Sequence, residues 1–220
     1  MTTFNTPAPI TASLEIAAGR VQFIAADRAD TAVEVRPVNA AKGRDVKAAE
    51  QTTVEFADGV LRIATPAKNR HLGPAGSVEV TVKLPAGSRV EGKAAATELR
   101  VVGRLGAVDF DGAYRQVKID EAASVRLTAT DGDVEVGRLD GPADIKTMRG
   151  DIRITEATGG AVVLNTQSGD ISVTAAAGVS AALDAHTSLG RVSNALRNDG
   201  TTGLDIRATT TRGDITARTQ

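Results

Sequence analysis

Residues 148–173 read MRGDIRITEATGGAVVLNTQSGDISV, and a glycine followed by Asp and an apolar-any-apolar triplet occurs in them twice, as GDIRI (150–154) and GDISV (169–173). The figure recurs with small variations as GAVDF (106–110), GDVEV (132–136), GRVSN (190–194) and GDITA (213–217). Glycines 132, 150, 169, 190 and 213 are spaced by 18, 19, 21 and 23 residues, which makes a repeat. A second strand-like segment precedes each of them: SVRLTAT, ADIKTM, AVVLNTQ, SAALDAH and GLDIRAT. Both segments alternate apolar and polar residues with period two, as in Ile152 and Ile154 or Leu204 and Ile206, so one face of each strand is buried. A unit of about 20 residues cannot close a core alone, whereas coils stacked about 4.8 Å apart bury one continuous apolar column between two parallel sheets. The expected fold is all-β: a β-solenoid, parallel β-helix-like, of two-stranded repeats.

The tripeptide Arg-Gly-Asp appears at Arg149-Gly150-Asp151 and again at Arg212-Gly213-Asp214. The residue before the repeat glycine is Asp131, Arg149, Ser168, Leu189 and Arg212 in turn, so Arg is incidental, while Gly persists and Asp follows it in four of the five. Gly supplies positive φ at a corner and Asp suits such a turn through its short side chain. Receptor recognition of this tripeptide wants a protruding loop, and a tight corner is the opposite of one.

Upstream the strands continue with a less regular register, at 11–17, 21–25, 32–36, 52–56, 59–64, 77–84, 97–102, 107–110 and 115–119. The stretch NAAKGRDVKAAEQ (39–51) lacks β alternation and predicts one helix of two or three turns, and PAKNRHLGPAGS (66–77) predicts a loop. All five aromatic residues, Phe4, Phe23, Phe56, Phe110 and Tyr114, precede residue 115, as suits a narrow aliphatic interior in the repeats and a thicker cap before them. The division expected is an N-terminal β cap region over 1–95, with its short helix near 39–51, and solenoid repeats over 96–220, in one continuous domain.

A chain of 220 residues is long enough for a real core. Its net charge is −1 and its pI about 6.2, so no long-range field draws it to nucleic acid or an anionic membrane. It has no cysteine, which removes disulfides and thiolate metal sites. The opening MTTFNTPAPITASLEIAAG lacks the plan of a signal peptide, no apolar run of spanning length occurs, and there is no sorting tail, so the expected location is the cytoplasm.

The chain resembles a bacterial "putative adhesin" β-strand-repeat family of unknown function, in its leaderless actinobacterial form. The resemblance rests on FNTPAPITASLEIAAGRVQFIAADRADTAVEVRP, KAAEQTTVEF, VEVTVKLPAGSRVEG, the GD[IV]x[IV] repeats and LDIRATTTRGDITAR, and so covers nearly the whole chain. It implies a β-repeat architecture and carries little chemistry.

Asp133, Asp151, Asp170 and Asp214 occupy equivalent corners and could form a carboxylate ladder, as in calcium-binding β-rolls or the acid pairs of β-helical polysaccharide enzymes. The Gly-Gly-x-Gly-x-Asp loop of calcium rolls is missing, the ladder breaks at Arg191, and Arg149, Arg153 and Arg212 relieve the repulsion between the acids, so a structural turn is the reading preferred. Residues 115–220 have no aromatic ring on which a sugar or base would stack. His186 lies near Asp184 and Ser188, but neighbours so close along one strand or corner seldom converge, and a solvated turn histidine is preferred; His71, in the 66–77 loop, is equally plain. No catalytic residue, metal site or cofactor is assigned, and the binding residues stay unknown. The function expected is a non-catalytic solenoid scaffold or protein-interaction module of unknown partner, without nucleic acid or membrane insertion. The alternatives are a secreted or surface adhesion module and a polysaccharide-cleaving β-helix enzyme. The final coil, LDIRATTTRGDITA, has no element after it in sequence to cover its edge, so self-association through the C-terminal coil is also expected.

Overall fold

The computed structural model describes residues 1–66 and 76–220; the loop expected at 66–77, with His71, falls almost entirely outside them. In chain order the elements are β1 (Thr2–Asn5), β2 (Thr11–Ala26), β3 (Asp30–Pro37), α1 (Gly43–Gln51), β4 (Thr53–Ala57), β5 (Val60–Ala64), β6 (Val78–Pro85), β7 (Arg89–Asp131), β8 (Val134–Leu139), β9 (Ala143–Arg149), β10 (Ile152–Ala157), β11 (Gly160–Ser168), β12 (Ile171–Ala175), β13 (Ala181–Leu189), β14 (Val192–Ala195), β15 (Leu204–Arg212) and β16 (Ile215–Thr219). The fold is a β-solenoid, and all its coil-to-coil pairings are parallel. The strands expected at 11–17 and 21–25 are one, β2, and those at 97–102, 107–110 and 115–119 all lie within β7. Both run through corners, because the chain stays hydrogen-bonded to adjacent coils while it turns. Strand β1 was not foreseen from the sequence.

The period-two pattern sets the register. Val117, Val134, Ile152, Ile171, Ile215 and Val192 stack in one column, and Val125, Ala143, Val162, Ile206 and Leu183 stack in a column of the other sheet. Most of these side chains are removed from water almost completely, with Ile152, Val162 and Ile206 at 0% exposure. Each buried Val or Ile contributes roughly 1.5–3 kcal/mol relative to leaving it exposed.

The order of the coils in space is not their order in sequence. Strand β16 lies between β12 and β14, and β15 between β11 and β13. The C-terminal coil is therefore inserted between the coil of β11–β12 and the coil of β13–β14. This corrects the expectation of an open C-terminal coil: both of its edges are paired, and the column ends instead at residues 181–195. The excursion 196–203 carries the chain back, and on its way the carbonyl of Arg197 accepts the N–H of Ala181 at 3.0 Å.

At the other end β2 pairs with β7 from Thr11↔Arg89 to Ile24↔Val102, so parallel stacking reaches back past residue 95. The first half of β2 also pairs with β5 and its second half with β6. Antiparallel strands close these edges, β4 on β5, β3 on β6 and β1 on β3. Helix α1 packs on β3 and β6 and begins at Gly43 rather than 39, because the Asn39 side chain accepts the N–H of Ala41 in a turn of its own. Its buried Asp45 accepts the N–H of Ser77 at 3.0 Å, tying helix to sheet.

The expectation that rings stay out of the coils also needs correcting. Phe110 is 1% exposed inside the column, and it fits because the coil below presents Gly92, where a Cβ would lie 2.3 Å from the ring. Phe4 and Phe56 do lie in the cap, with ring centroids 5.4 Å apart.

Candidate functional site

The aspartate corners are a chemical feature that the repeats multiply, and most of them are built from one shared device. The glycine turns the chain with φ of +128° at Gly150 and +153° at Gly169, and no side chain could replace its hydrogen there. A Cβ on Gly169 would lie 2.1 Å from the Gly150 carbonyl oxygen of the adjacent coil. The aspartate that follows then reaches along the column axis. Oδ1 of Asp133 accepts the N–H of Asp151 at 2.9 Å, Asp151 accepts from Asp170 at 2.7 Å, Asp170 from Asp214 at 2.7 Å and Asp214 from Arg191 at 2.8 Å.

A threonine three residues before the glycine completes the device. The hydroxyl of Thr166 donates to the Gly150 carbonyl at 3.1 Å, Thr210 to Gly169 at 3.0 Å and Thr187 to Gly213 at 2.9 Å. These threonines were missed in the sequence, although TQSGD, TTRGD and TSLGR share their spacing and would have revealed them. At these three corners a hydroxyl thus joins one coil to the next beside the carboxylate and the backbone, whereas Thr147 turns its hydroxyl to the Arg149 carbonyl of its own coil.

This geometry explains the break at Arg191. The ladder runs 133, 151, 170, 214, 191 in space, and its last member needs no acceptor because no coil follows it among the described residues. Arg191 instead donates its backbone N–H and its guanidinium, at 3.2 Å, to Asp214, and these bonds hold the Asp214 carboxyl below its ordinary 3.8. Both Arg-Gly-Asp tripeptides are held in these corners, with Asp151 and Asp214 each committed to an amide of a neighbouring coil and Arg149 paired to Asp131 at 3.1 Å.

Among the described residues, no group of three or more His, Asp or Glu side chains is placed to hold a metal ion. His186 is not in a turn but in the middle of β13, on the outward face with Asp184 and Ser188, all three exposed. They line up along one strand instead of converging. The outer faces carry alternating charges stacked from coil to coil: Lys118 pairs with Glu135 at 3.1 Å, and Arg138 with both Asp140 and Glu156. Open grooves lie along these faces, one of them lined by Glu15, Glu91, Lys93, Asp109 and Asp111. No helix among the described residues is long and apolar enough to cross a membrane.

A family model described as Toastrack DUF4097 matches residues 13–220. The chain belongs to the Toastrack DUF4097 family. Its match spans the parallel coils and most of the cap, so the interlocked corners lie inside this family's domain. Similar solved structures include a "putative cell adhesion protein" from Clostridium sporogenes, at 11% identity and a TM-score of 0.36, covering 100% of this chain and 98% of that one. A "putative adhesin" from Bacteroides fragilis is similar at 11% identity and a TM-score of 0.39, with 98% and 95% covered. One from Parabacteroides distasonis is similar at 14% identity and a TM-score of 0.35, with 98% and 96% covered. No curated protein matches the chain in sequence.

Proposed function

We propose that this Toastrack domain is a non-catalytic scaffold that presents its outer faces and its terminal coil to a protein partner. One observation carries the reading: the repeated carboxylates, which would have to supply any chemistry common to the coils, each accept through Oδ1 the amide N–H of an adjacent coil. A catalytic acid pair needs oxygens free to reach a substrate and a proton to exchange. The charge-alternating faces suit recognition of another protein surface, where polar complementarity selects the partner.

The test compares wild type with the Asp151→Asn, Asp170→Asn double variant on a polysaccharide panel and in a capture assay with native-host lysate. A scaffold turns over no polysaccharide in either form and retains the same captured protein in both. Turnover by wild type that disappears in the variant would overturn the reading in favour of a polysaccharide-cleaving enzyme. A cytoplasmic location enters as part of this proposal, and fractionation of native cells that found the protein only at the surface would replace it with an adhesion module.

A further inference from the structure

The end of the column at β13–β14 leaves a strand edge whose free groups can be identified. In a parallel ladder, N–H and C=O of one residue face the same neighbour, and successive residues face opposite ways. Ser180, just before β13, accepts the N–H of Leu204 through its carbonyl, so the even-numbered residues of β13 face β15. The odd-numbered residues face outward as far as Thr187; at the corner the order changes, and the Leu189 carbonyl accepts the N–H of Gly213. Ala181 is the first of these, and its N–H is already taken by the Arg197 carbonyl. Leu183, Ala185 and Thr187 follow, and no strand among the described residues pairs with them. On the second sheet the Arg191 carbonyl accepts the N–H of Ile215, which turns the backbone groups of Val192 and Asn194 outward as well. Val192, in the column of Ile215 and Ile171, is 47% exposed, and Leu189 beside it is 62% exposed.

We propose that two copies of the chain join head to head through this edge, β13 pairing antiparallel with β13 of the second copy about a two-fold axis at Ala185. Charge complementarity selects the register. Outward-facing residues must meet outward-facing residues, which leaves three central alignments. One sets Asp184 against Asp184 and another His186 against His186. The third centres on Ala185 and places Asp184 of each copy opposite His186 of the other, twice, in the non-hydrogen-bonded positions where cross-strand side chains approach most closely. A carboxylate acceptor then faces an imidazole donor on both sides of the axis. The contact is isologous, so it closes at two copies. Growth into a filament would require this end to meet the opposite one, which finishes in the antiparallel strands β1 and β4 rather than in a parallel coil. Pairing would also cover Leu189 and Val192.

The experiment is analytical ultracentrifugation of the full chain across concentration, with circular dichroism confirming that each variant is folded. Wild type is expected to be a monomer–dimer equilibrium. His186→Asp and Asp184→His, which set like groups against each other, should each weaken the dimer about tenfold, and the double exchange should restore it. Ala185→Pro, which removes an outward N–H and no ladder bond to β15, should abolish it. A wild type that stays monomeric up to its solubility limit would overturn the proposal, including the case in which the edge binds some other extended peptide instead. So would a dimer indifferent to Ala185→Pro, or single exchanges that the double exchange fails to rescue.

Discussion

Arg115 stands where the next coil has Gly132, and it adopts φ of +75° with no glycine to relax it. An L-residue in the left-handed region carries a strain of about 1–2 kcal/mol, part of which a glycine gives back through its more disordered unfolded state. Arg115→Gly should therefore stabilise the fold by up to about 1 kcal/mol, read as a shift in the urea midpoint. The corner aspartates make a second residue-scale case. Asp170→Ala removes the acceptor for the Asp214 amide and should lose about 1 kcal/mol, whereas Asp170→Asn keeps an oxygen at the same position and should lose less than half of that. Equal losses in the two variants would mean that charge, and not the hydrogen bond along the column, is what the aspartate supplies. The glycine and aspartate of this device were legible because they recur next to an apolar triplet. The threonine was less so, since Ala129 replaces it before Gly132 and a hydroxyl in a strand is common without any such role.

Among the elements, the post-glycine strands were the most legible, because a buried and an exposed face leave alternation that survives every substitution. Ile152 is fully buried in β10 and Arg153 beside it is exposed. Ile152→Asp should accordingly cost roughly 3 kcal/mol or more and Arg153→Asp under about 0.5, compared by thermal melting. Strand boundaries in the first hundred residues were harder to read. There the chain turns corners, at Gly19, Gly103 and Gly112, without leaving its ladder, so β2 and β7 run on where separate strands were expected. The ring of Phe110 shows a further limit: its place in the column depends on Gly92, eighteen positions away, and no local pattern links the two. The strand edges give a prediction of their own. Amide exchange should be slow along β15, which is paired on both sides, and fast at Leu183, Ala185 and Thr187, under conditions that keep the chain dilute and monomeric.

For the whole molecule, the repeat period announced a solenoid but not the order of its coils. Sequence order and spatial order coincide in most stacked repeats, and nothing in the spacing of the glycines says otherwise. Two residues did mark the true end: Arg191 in place of the corner aspartate, and Asn194 in the column position held by Val136, Ile154 and Val173. Both make sense only where no coil follows. Since β13 and β14 bond to β15 and β16 and not to β11 and β12, a chain ending at Gly203 should hold residues 181–195 loosely, and limited proteolysis should cut there while 106–175 resists. A chain leaves the ribosome from its N-terminus, and the coils up to Ala175 can stack as they emerge, each on the one before. The coil of β13–β14 cannot. When it emerges, the place beside β11–β12 belongs to residues not yet made, so it must wait apart or occupy that place and be displaced. Residues 204–220 thus act as the key that closes the column, and until they arrive the coil of β13 and β14 stays unsettled.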